Sequence, residues 1–113
     1  MGAGFFRHIR DHERVLRWLL DTTDNHTLPD YYKKIVSRQI ELMLRTHYLA
    51  YAGQPRLTKA DKVDLMKFDA FLRLRYPTFY KNAGVAKILK KLPNVFRNNK
   101  IIKLACYYRS EKK

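Results

Sequence analysis

The chain has 113 residues and a formal net charge of +14, with 24 Lys and Arg residues against 10 Asp and Glu residues. Its hydrophobic fraction of 46% excludes a disordered basic tail, which lacks the apolar surface to offset the entropy of ordering. A single cysteine, Cys106, excludes an internal disulfide, and no apolar run approaches the ~20 residues of a membrane span. We therefore expect one folded domain, residues 1–113, without a transmembrane span.

The first predicted helix covers residues 5–22. Side chains that suit a buried face recur along it at helical spacing; they are Phe5, Ile9, His12, Leu16 and Leu19. The polar residues 21–27 predict a loop. Thr27 and Asp30 form a Thr-x-x-Asp pattern, which predicts a capping box at the start of a second helix. This helix is expected to end at Gly53, shortly before a proline.

A third predicted helix begins at a second Thr-x-x-Asp pattern, formed by Thr58 and Asp61, and ends before Pro77. Residues 78–84 are predicted to form a loop. A short fourth helix is predicted from the apolar stripe of Val85, Ile88, Leu89 and Leu92. A fifth helix is predicted from the stripe of Ile101, Leu104, Ala105 and Tyr108. No strand-like alternation of polar and apolar residues competes with these patterns.

The predicted fold is all-α, with a three-helix bundle over residues 1–76 and two short basic C-terminal helices in an extension over residues 77–113. Residues 81–113 hold ten Lys and Arg residues but only one acid, Glu111, and so carry +9 of the net charge. Like charges at this density repel one another in a compact fold, whereas they stabilise contact with a polyanion by releasing its counterions. The sequence therefore predicts a negatively charged partner for this end of the chain.

Basic residues near the C-terminus are interleaved with aromatic ones. This mixture suits RNA better than duplex DNA, because Tyr can stack on an unpaired base. The predicted contacts with RNA phosphates, or with another anionic surface, are Lys81, Lys87, Lys90, Lys91, Arg97, Lys100, Lys103 and Arg109. The predicted stacking residues are Tyr80 and Tyr107. Two alternatives stay open, namely a solvated face that only keeps the protein soluble and a basic surface that lies on anionic lipid.

No group of residues in the sequence amounts to an active site. His8 and His12 have the spacing that lets two imidazoles on a helix share a metal, but two ligands are too few, so we interpret both as surface histidines. The candidate nucleophiles have no His and carboxylate close by in sequence; they are Ser37, Cys106 and Ser110. We expect no enzymatic activity, no metal or other cofactor and no small-molecule substrate.

Three consecutive segments resemble a known family. They are the first predicted helix, Tyr31-Tyr-Lys-Lys-Ile-Val-Ser-Arg-Gln-Ile-Glu-Leu-Met-Leu-Arg45, and Leu57-Thr-Lys-Ala-Asp-Lys-Val-Asp-Leu65. In this order, residues 15–75 resemble the LYR-motif family of small basic mitochondrial proteins, although the Leu-Tyr-Arg tripeptide itself is absent from this chain. The resemblance implies a three-helix bundle that serves respiratory complexes or mitochondrial ribosomes as a subunit or assembly factor, often docking an acyl carrier protein. It also implies a mitochondrial location, the alternative being the cytoplasm.

The function expected from these patterns is that of a non-catalytic structural subunit of a large ribonucleoprotein, in the first place a mitochondrial ribosomal protein. Its basic C-terminal helices would contact rRNA and its bundle would pack on neighbouring protein subunits. The alternative is an LYR-like accessory subunit of a mitochondrial inner-membrane respiratory or ATP synthase complex, with the basic end against anionic lipid or acidic subunits. The second helix is unusually aromatic, which predicts exposed apolar surface that a partner covers; its tyrosines are Tyr31, Tyr32, Tyr48 and Tyr51.

Overall fold

A computed structural model of the chain describes residues 3–25 and 27–92, and within these residues the only regular structure is helical. The helices are α1 (Ala3–Phe6), α2 (Ile9–Asn25), α3 (Asp30–Ala52), α4 (Lys59–Arg75), α5 (Pro77–Ala83) and α6 (Val85–Lys90). The described residues contain no strand, which confirms the predicted all-α class for this part of the chain. The fifth predicted helix, which carries Ile101 to Tyr108, lies outside the described residues.

The predicted first helix is divided in two, so the prediction of one helix over residues 5–22 is wrong at both ends. The backbone N–H of His8 donates to the carbonyl of Phe5 at 3.0 Å, one residue short of the α-helical pattern, and this tight turn separates α1 from α2. The turn allows Phe6 to pack edge-on against Tyr51, with 5.1 Å between the ring centroids. At the other end α2 continues to Asn25, because the polar segment contains no Gly or Pro to stop it.

The start of α3 also differs from the prediction. The residue that caps α3 is Pro29, with φ of −55° and ψ of 145°, and no side chain hydrogen-bonds the first turn, so the capping box predicted for Thr27 and Asp30 is wrong. The proline accounts for this difference, because it keeps the residue before it out of the helical region of backbone conformations. The C-terminal end of α3 at Gly53 is confirmed, and the N–H of Gly53 donates to the carbonyl of Leu49 at 2.9 Å.

The capping box at the start of α4 is confirmed in both of its hydrogen bonds. The backbone N–H of Asp61 donates to the Thr58 hydroxyl at 3.0 Å, and the backbone N–H of Thr58 donates to the Asp61 carboxylate at 3.1 Å. The helix ends before Pro77, as predicted. The loop predicted for residues 78–84 is wrong, because a proline that cannot continue one helix is well suited to the first turn of the next, and Pro77 begins α5.

The core is arranged around α3, against which α1, α2, α5 and α6 pack, while α4 packs on α5 and contributes aromatic rings to the same interior. The largest fully buried apolar side chains come from α2, α3, α4 and α6; they are Leu16, Leu20, Ile40, Leu44, Tyr48, Tyr51, Leu65, Phe68, Leu72 and Val85. The segment 77–92 contributes to this core as well, through Ala83, Val85, Ile88, Leu89 and Leu92. The finer arrangement, a three-helix bundle followed by two basic helices, stays a prediction.

Candidate nucleic-acid interface

The short helices α5 and α6 form a corner that is fastened to the middle of the central helix. One guanidinium nitrogen of Arg45, on α3, donates to the backbone carbonyl of Ala83 at 2.9 Å, which satisfies an acceptor at the end of α5. Between the two helices Gly84 has φ of 66°, in the left-handed region that favours glycine. A Cβ atom on Gly84 would lie 3.2 Å from the same guanidinium group. The corner therefore has a defined backbone and a side-chain anchor.

This corner separates its charged side chains from its apolar ones. Val85, Ile88 and Leu89 are buried in the core. The four lysines of the segment are exposed on the outside; they are Lys81, Lys87, Lys90 and Lys91. At these positions the lysines and the apolar side chains fall on different faces of the helices. Because the apolar face is buried in the core, the lysines point towards solvent. We refer to these four lysines as the lysine face.

The lysine face carries charges that no described residue neutralises. Two arginines of α2, by contrast, have acidic neighbours: Arg17 contacts Glu13 at 3.0 Å and Arg10 contacts Asp64 at 3.3 Å. None of the four lysines forms an ion pair with a residue that the structure describes. The sequence explains this difference, since residues 70–110 contain neither Asp nor Glu. A surface of this kind attracts polyanions over distances of about a Debye length, ~8–10 Å.

Tyr80, one of the two predicted stacking residues, lies half-buried beside the lysine face. The guanidinium carbon of Arg73 lies 5.4 Å from the centroid of its ring. Burial, together with the nearby negative charge of Asp69, raises the pKa of Tyr80 to about 12. The structure therefore gives this tyrosine an internal contact, and the ring face that meets Arg73 is not open to a base.

The remaining predicted contact residues lie outside the described residues. These are Arg97, Lys100, Lys103 and Arg109, together with the stacking residue Tyr107. The part of the chain that the structure describes thus brings together half of the predicted phosphate contacts, Lys81, Lys87, Lys90 and Lys91, at one corner. The role of all these residues in binding RNA stays a prediction.

The structure reveals a pair of histidines that the sequence interpretation missed. His12 and His47 stand 35 positions apart, yet their Nδ1 atoms are 3.0 Å apart and their rings stack at an interplanar angle of 16°. One Nδ1–H donates to the other, unprotonated Nδ1, so at most one of the two imidazoles can carry a charge in this contact. Burial, with the positive charges of His12 and Arg17 nearby, lowers the pKa of His47 to about 3. The interpretation of His12 as a surface histidine is wrong, whereas His8 is exposed.

The spacing of apolar residues contained a signal for this pair, which the sequence interpretation recorded for His12 on the first helix but not for His47 on the second. His47 follows Ile40 and Leu44 and precedes Tyr51 at helical intervals, so it belongs to the apolar face of α3. His12 belongs to the corresponding face of α2, four residues before Leu16. No set of three or more His, Cys, Asp or Glu side chains suited to a metal occurs among residues 3–25 and 27–92.

A second buried polar contact links α3 to α4. The hydroxyl of Tyr48 donates to one carboxylate oxygen of Asp69 at 2.8 Å, and the other oxygen accepts from the guanidinium of Arg73. Burial raises the pKa of Tyr48, and the adjacent Asp69 carboxylate acts in the same direction. Asp69 is fully buried, so this arrangement serves the packing of the helices and leaves no carboxylate free for chemistry.

One surface groove contains a candidate nucleophile, Ser37. It has a volume of about 670 Å³ and runs along α3; its lining residues are Asp30, Lys33, Lys34, Ser37, Arg38 and Glu41. No histidine lines it to act as a base for the serine. The other candidate nucleophiles, Cys106 and Ser110, lie outside the described residues.

No profile of a known protein family matches the chain, and neither a curated protein nor a solved structure is found to be similar to it. The resemblance of residues 15–75 to the LYR-motif family accordingly stays a prediction. Among the helices that the structure describes, none has both the length and the apolar character to cross a membrane.

Proposed function

We propose that the protein is a non-catalytic structural subunit of a large ribonucleoprotein, in the first place a mitochondrial ribosome, and that it contacts rRNA through its basic C-terminal part. The observation that carries this proposal is the lysine face, where Lys81, Lys87, Lys90 and Lys91 are exposed without a described acidic partner. Charge that is not neutralised within the fold is available to replace the counterions of a nucleic acid.

The packing of α6 favours a phosphate backbone over a lipid surface as the partner of this face. A basic helix that lies on a membrane inserts its apolar side between the lipids. In α6 that side is formed by Val85, Ile88 and Leu89, all of which are buried against the rest of the protein. The apolar side of α6 is therefore not free to insert into a membrane, and the lysine face offers only its positive charges. Positive charges without an apolar surface suit contact with RNA phosphates.

Co-sedimentation tests the proposal. The tagged protein is expressed in its native cells, and a detergent lysate is fractionated on a density gradient before and after treatment with ribonuclease. We expect the protein to travel with a particle that contains rRNA and to leave that particle when the RNA is digested. Migration with a detergent-solubilised respiratory or ATP synthase complex, unaffected by ribonuclease, would contradict the proposal and support the accessory subunit of an inner-membrane complex instead.

A further inference from the structure

The side of α3 that faces away from the core carries an unpartnered apolar stripe. Ile35, Leu42 and Leu49 follow one another at intervals of seven residues, and Tyr31 precedes them by four, so all four side chains lie along one line of the helix. They are 44%, 52%, 41% and 72% exposed in that order. The buried side chains of α3, which include Ile40, Leu44 and Tyr48, point the opposite way. We call this set of four exposed residues the outer stripe.

The outer stripe is large for a surface that stays in water. Four side chains of this size with these exposures present on the order of 400 Å² of apolar surface, and patches of roughly 300–600 Å² on monomeric proteins are often functional. The stripe has the seven-residue repeat of a helix that packs against another helix. The shape and chemistry of the stripe thus fit an amphipathic helix laid alongside α3.

The charged residues beside the outer stripe indicate which kind of partner helix it would bind. One edge of the outer stripe carries Lys34, Arg38 and Arg45, with the acids Asp30 and Glu41 on the same side of the helix but farther from the stripe. The cations are therefore the charged groups nearest to the stripe on this edge, whereas the other edge carries the uncharged Gln39 and Thr46. Arg45 is partly engaged by the carbonyl of Ala83, but Lys34 and Arg38 are exposed and form no ion pair with a described residue. A helix with acids along one side only would place them beside these cations, and opposite charges at such flanking positions determine partner choice in helix pairs.

The same charges argue against two other occupants. A second copy of this chain would bring another basic edge to the contact and would add its own net charge of +14. Residues 93–113 of the chain itself contain six Lys and Arg residues and a single acid, Glu111, so they also repel the edge formed by Lys34 and Arg38. A helix from a different, acidic protein avoids both conflicts.

We propose that the outer stripe of α3 is a docking site for an amphipathic helix of a partner protein whose apolar face is flanked on one side by Asp or Glu. This inference adds a protein contact to the RNA contact proposed above and does not depend on it, because the outer stripe and the lysine face are formed by different residues.

A synthetic helical peptide provides the first test. The probe is a fluorescein-labelled peptide of three heptads with Leu at the core positions and Glu along one flank, and its binding to the full-length protein is followed by fluorescence anisotropy. We expect Leu42→Ser to weaken binding at least about tenfold, because it removes a central apolar contact. Val15→Ser, at an α2 position that is 48% exposed and lies off the stripe, is the matched control and should bind as the wild type does. Equal binding by both variants would overturn the proposal.

A charge-reversed pair tests the acidic flank separately. The second peptide carries Lys in place of the flanking Glu residues. Arg38→Glu should weaken the Glu peptide about fivefold and strengthen the Lys peptide, since only a specific edge contact reverses its preference with the charge. The control Lys87→Gln/Lys90→Gln should leave both affinities unchanged, because it alters the lysine face alone. Loss of peptide binding in this control, with no effect of Arg38→Glu, would show a general attraction to the basic protein and would overturn the proposal.

Site-specific cross-linking tests the contact in the intact assembly. A photoreactive amino acid replaces Leu42 in the tagged protein, and mass spectrometry identifies the segment to which it cross-links after irradiation of native cells. A segment with an apolar heptad stripe and acids along one flank would support the proposal. Cross-links to residues 93–113, to a second copy of the chain or to RNA would each overturn it. The same residue introduced at Lys67, an exposed position on α4, provides the control.

Discussion

Two polar side chains, His47 and Asp69, are fully buried in the described part of the protein. Asp69 is satisfied by Tyr48 and Arg73, which supply both a hydroxyl donor and a positive charge. His47 contacts His12 through Nδ1, whereas its Nε2 atom has no hydrogen-bond partner. A buried group of this kind costs about 1–3 kcal/mol when it is left unpaired and far more when it is charged. The surrounding aromatic rings therefore hold His47 in its neutral form.

Stability should depend on pH through His47. Its pKa of about 3 in the folded protein lies below the ordinary value of 6.5, so between these pH values the unfolded chain binds a proton that the folded protein excludes. The contribution of neutral His47 is thus fully present above pH 6.5 and is lost as the pH falls towards 3, by up to about 1.4 kcal/mol per pH unit. Urea unfolding between about pH 7 and pH 4 should show a shallower pH slope for His47→Gln than for the wild type.

The control for this measurement is His8→Gln, which changes an exposed histidine in the turn before α2. This variant also removes one imidazole, but from a position in contact with water. Its free energy of unfolding should therefore depend on pH as that of the wild type does. Comparison of slopes rather than absolute stabilities separates the proton effect from any loss of packing. An unchanged slope in His47→Gln would contradict the buried neutral histidine.

Among the elements, the corner between α5 and α6 has the most demanding backbone. Pro77 begins α5 immediately after the last residue of α4 and its cap, and Gly84 turns the chain between α5 and α6 with φ of 66°. Arg45 fastens this turn by donating to the carbonyl of Ala83. Since α6 has only six residues, it would be marginal by itself, and its position depends on packing against α3.

Gly84→Ala should lower the free energy of unfolding by about 1–2 kcal/mol. Alanine in the left-handed region is strained, and its Cβ would lie 3.2 Å from the Arg45 guanidinium. Gly53→Ala is the matched control, because Gly53 has φ of −79° and its nearest neighbour would lie at 3.4 Å, so its stability should change by less than about 1 kcal/mol. Chemical denaturation of both variants measures the difference. Equal effects would show that the left-handed turn is not required.

On the scale of the whole molecule, charge is distributed unevenly along the chain. Nine of the 10 Asp and Glu residues lie between Asp11 and Asp69, and several of them neutralise cations of α2 and α4. The following residues 70–110 contain no acid at all. The protein thus has one part in which acids offset most of the positive charge and another in which residues 70–110 contain no acid to offset it.

Binding to RNA should weaken steeply with salt. If about six cations contact phosphates, log affinity for a single-stranded RNA should fall with log salt concentration at a slope of roughly −4 to −5. Lys87→Gln/Lys90→Gln should make this slope less steep by about 1.5, whereas Lys59→Gln/Lys67→Gln, on exposed positions of α4, should leave it nearly unchanged. Fluorescence anisotropy over a series of salt concentrations measures all three slopes. A slope near zero, or the same slope in both variants, would contradict a specific role of the lysine face.

Features encoded within a few residues of one another were predicted well. The helical class followed from apolar spacing, the capping box at Thr58 and Asp61 from its two residues, and the ends of helices from Gly53 and Pro77. Mutual contacts of distant residues were predicted poorly. The sequence interpretation treated His12 as a surface residue and expected an exposed aromatic surface on α3; Tyr31 and Tyr32 are exposed, but Tyr48 and Tyr51 are buried.

The sequence by itself therefore determined the all-α class, the helix boundaries that have strong local signals, and the concentration of positive charge after Asp69. Only the tertiary structure decided that His12 contacts His47 and that the Arg73 guanidinium lies over the ring of Tyr80. It also decided that α3 carries an exposed apolar stripe on its outer side. The physical reason is that capping and charge are properties of neighbouring residues. Burial and pairing depend instead on how each helix is rotated against the others, and this packing joins residues as far apart as His12 and His47.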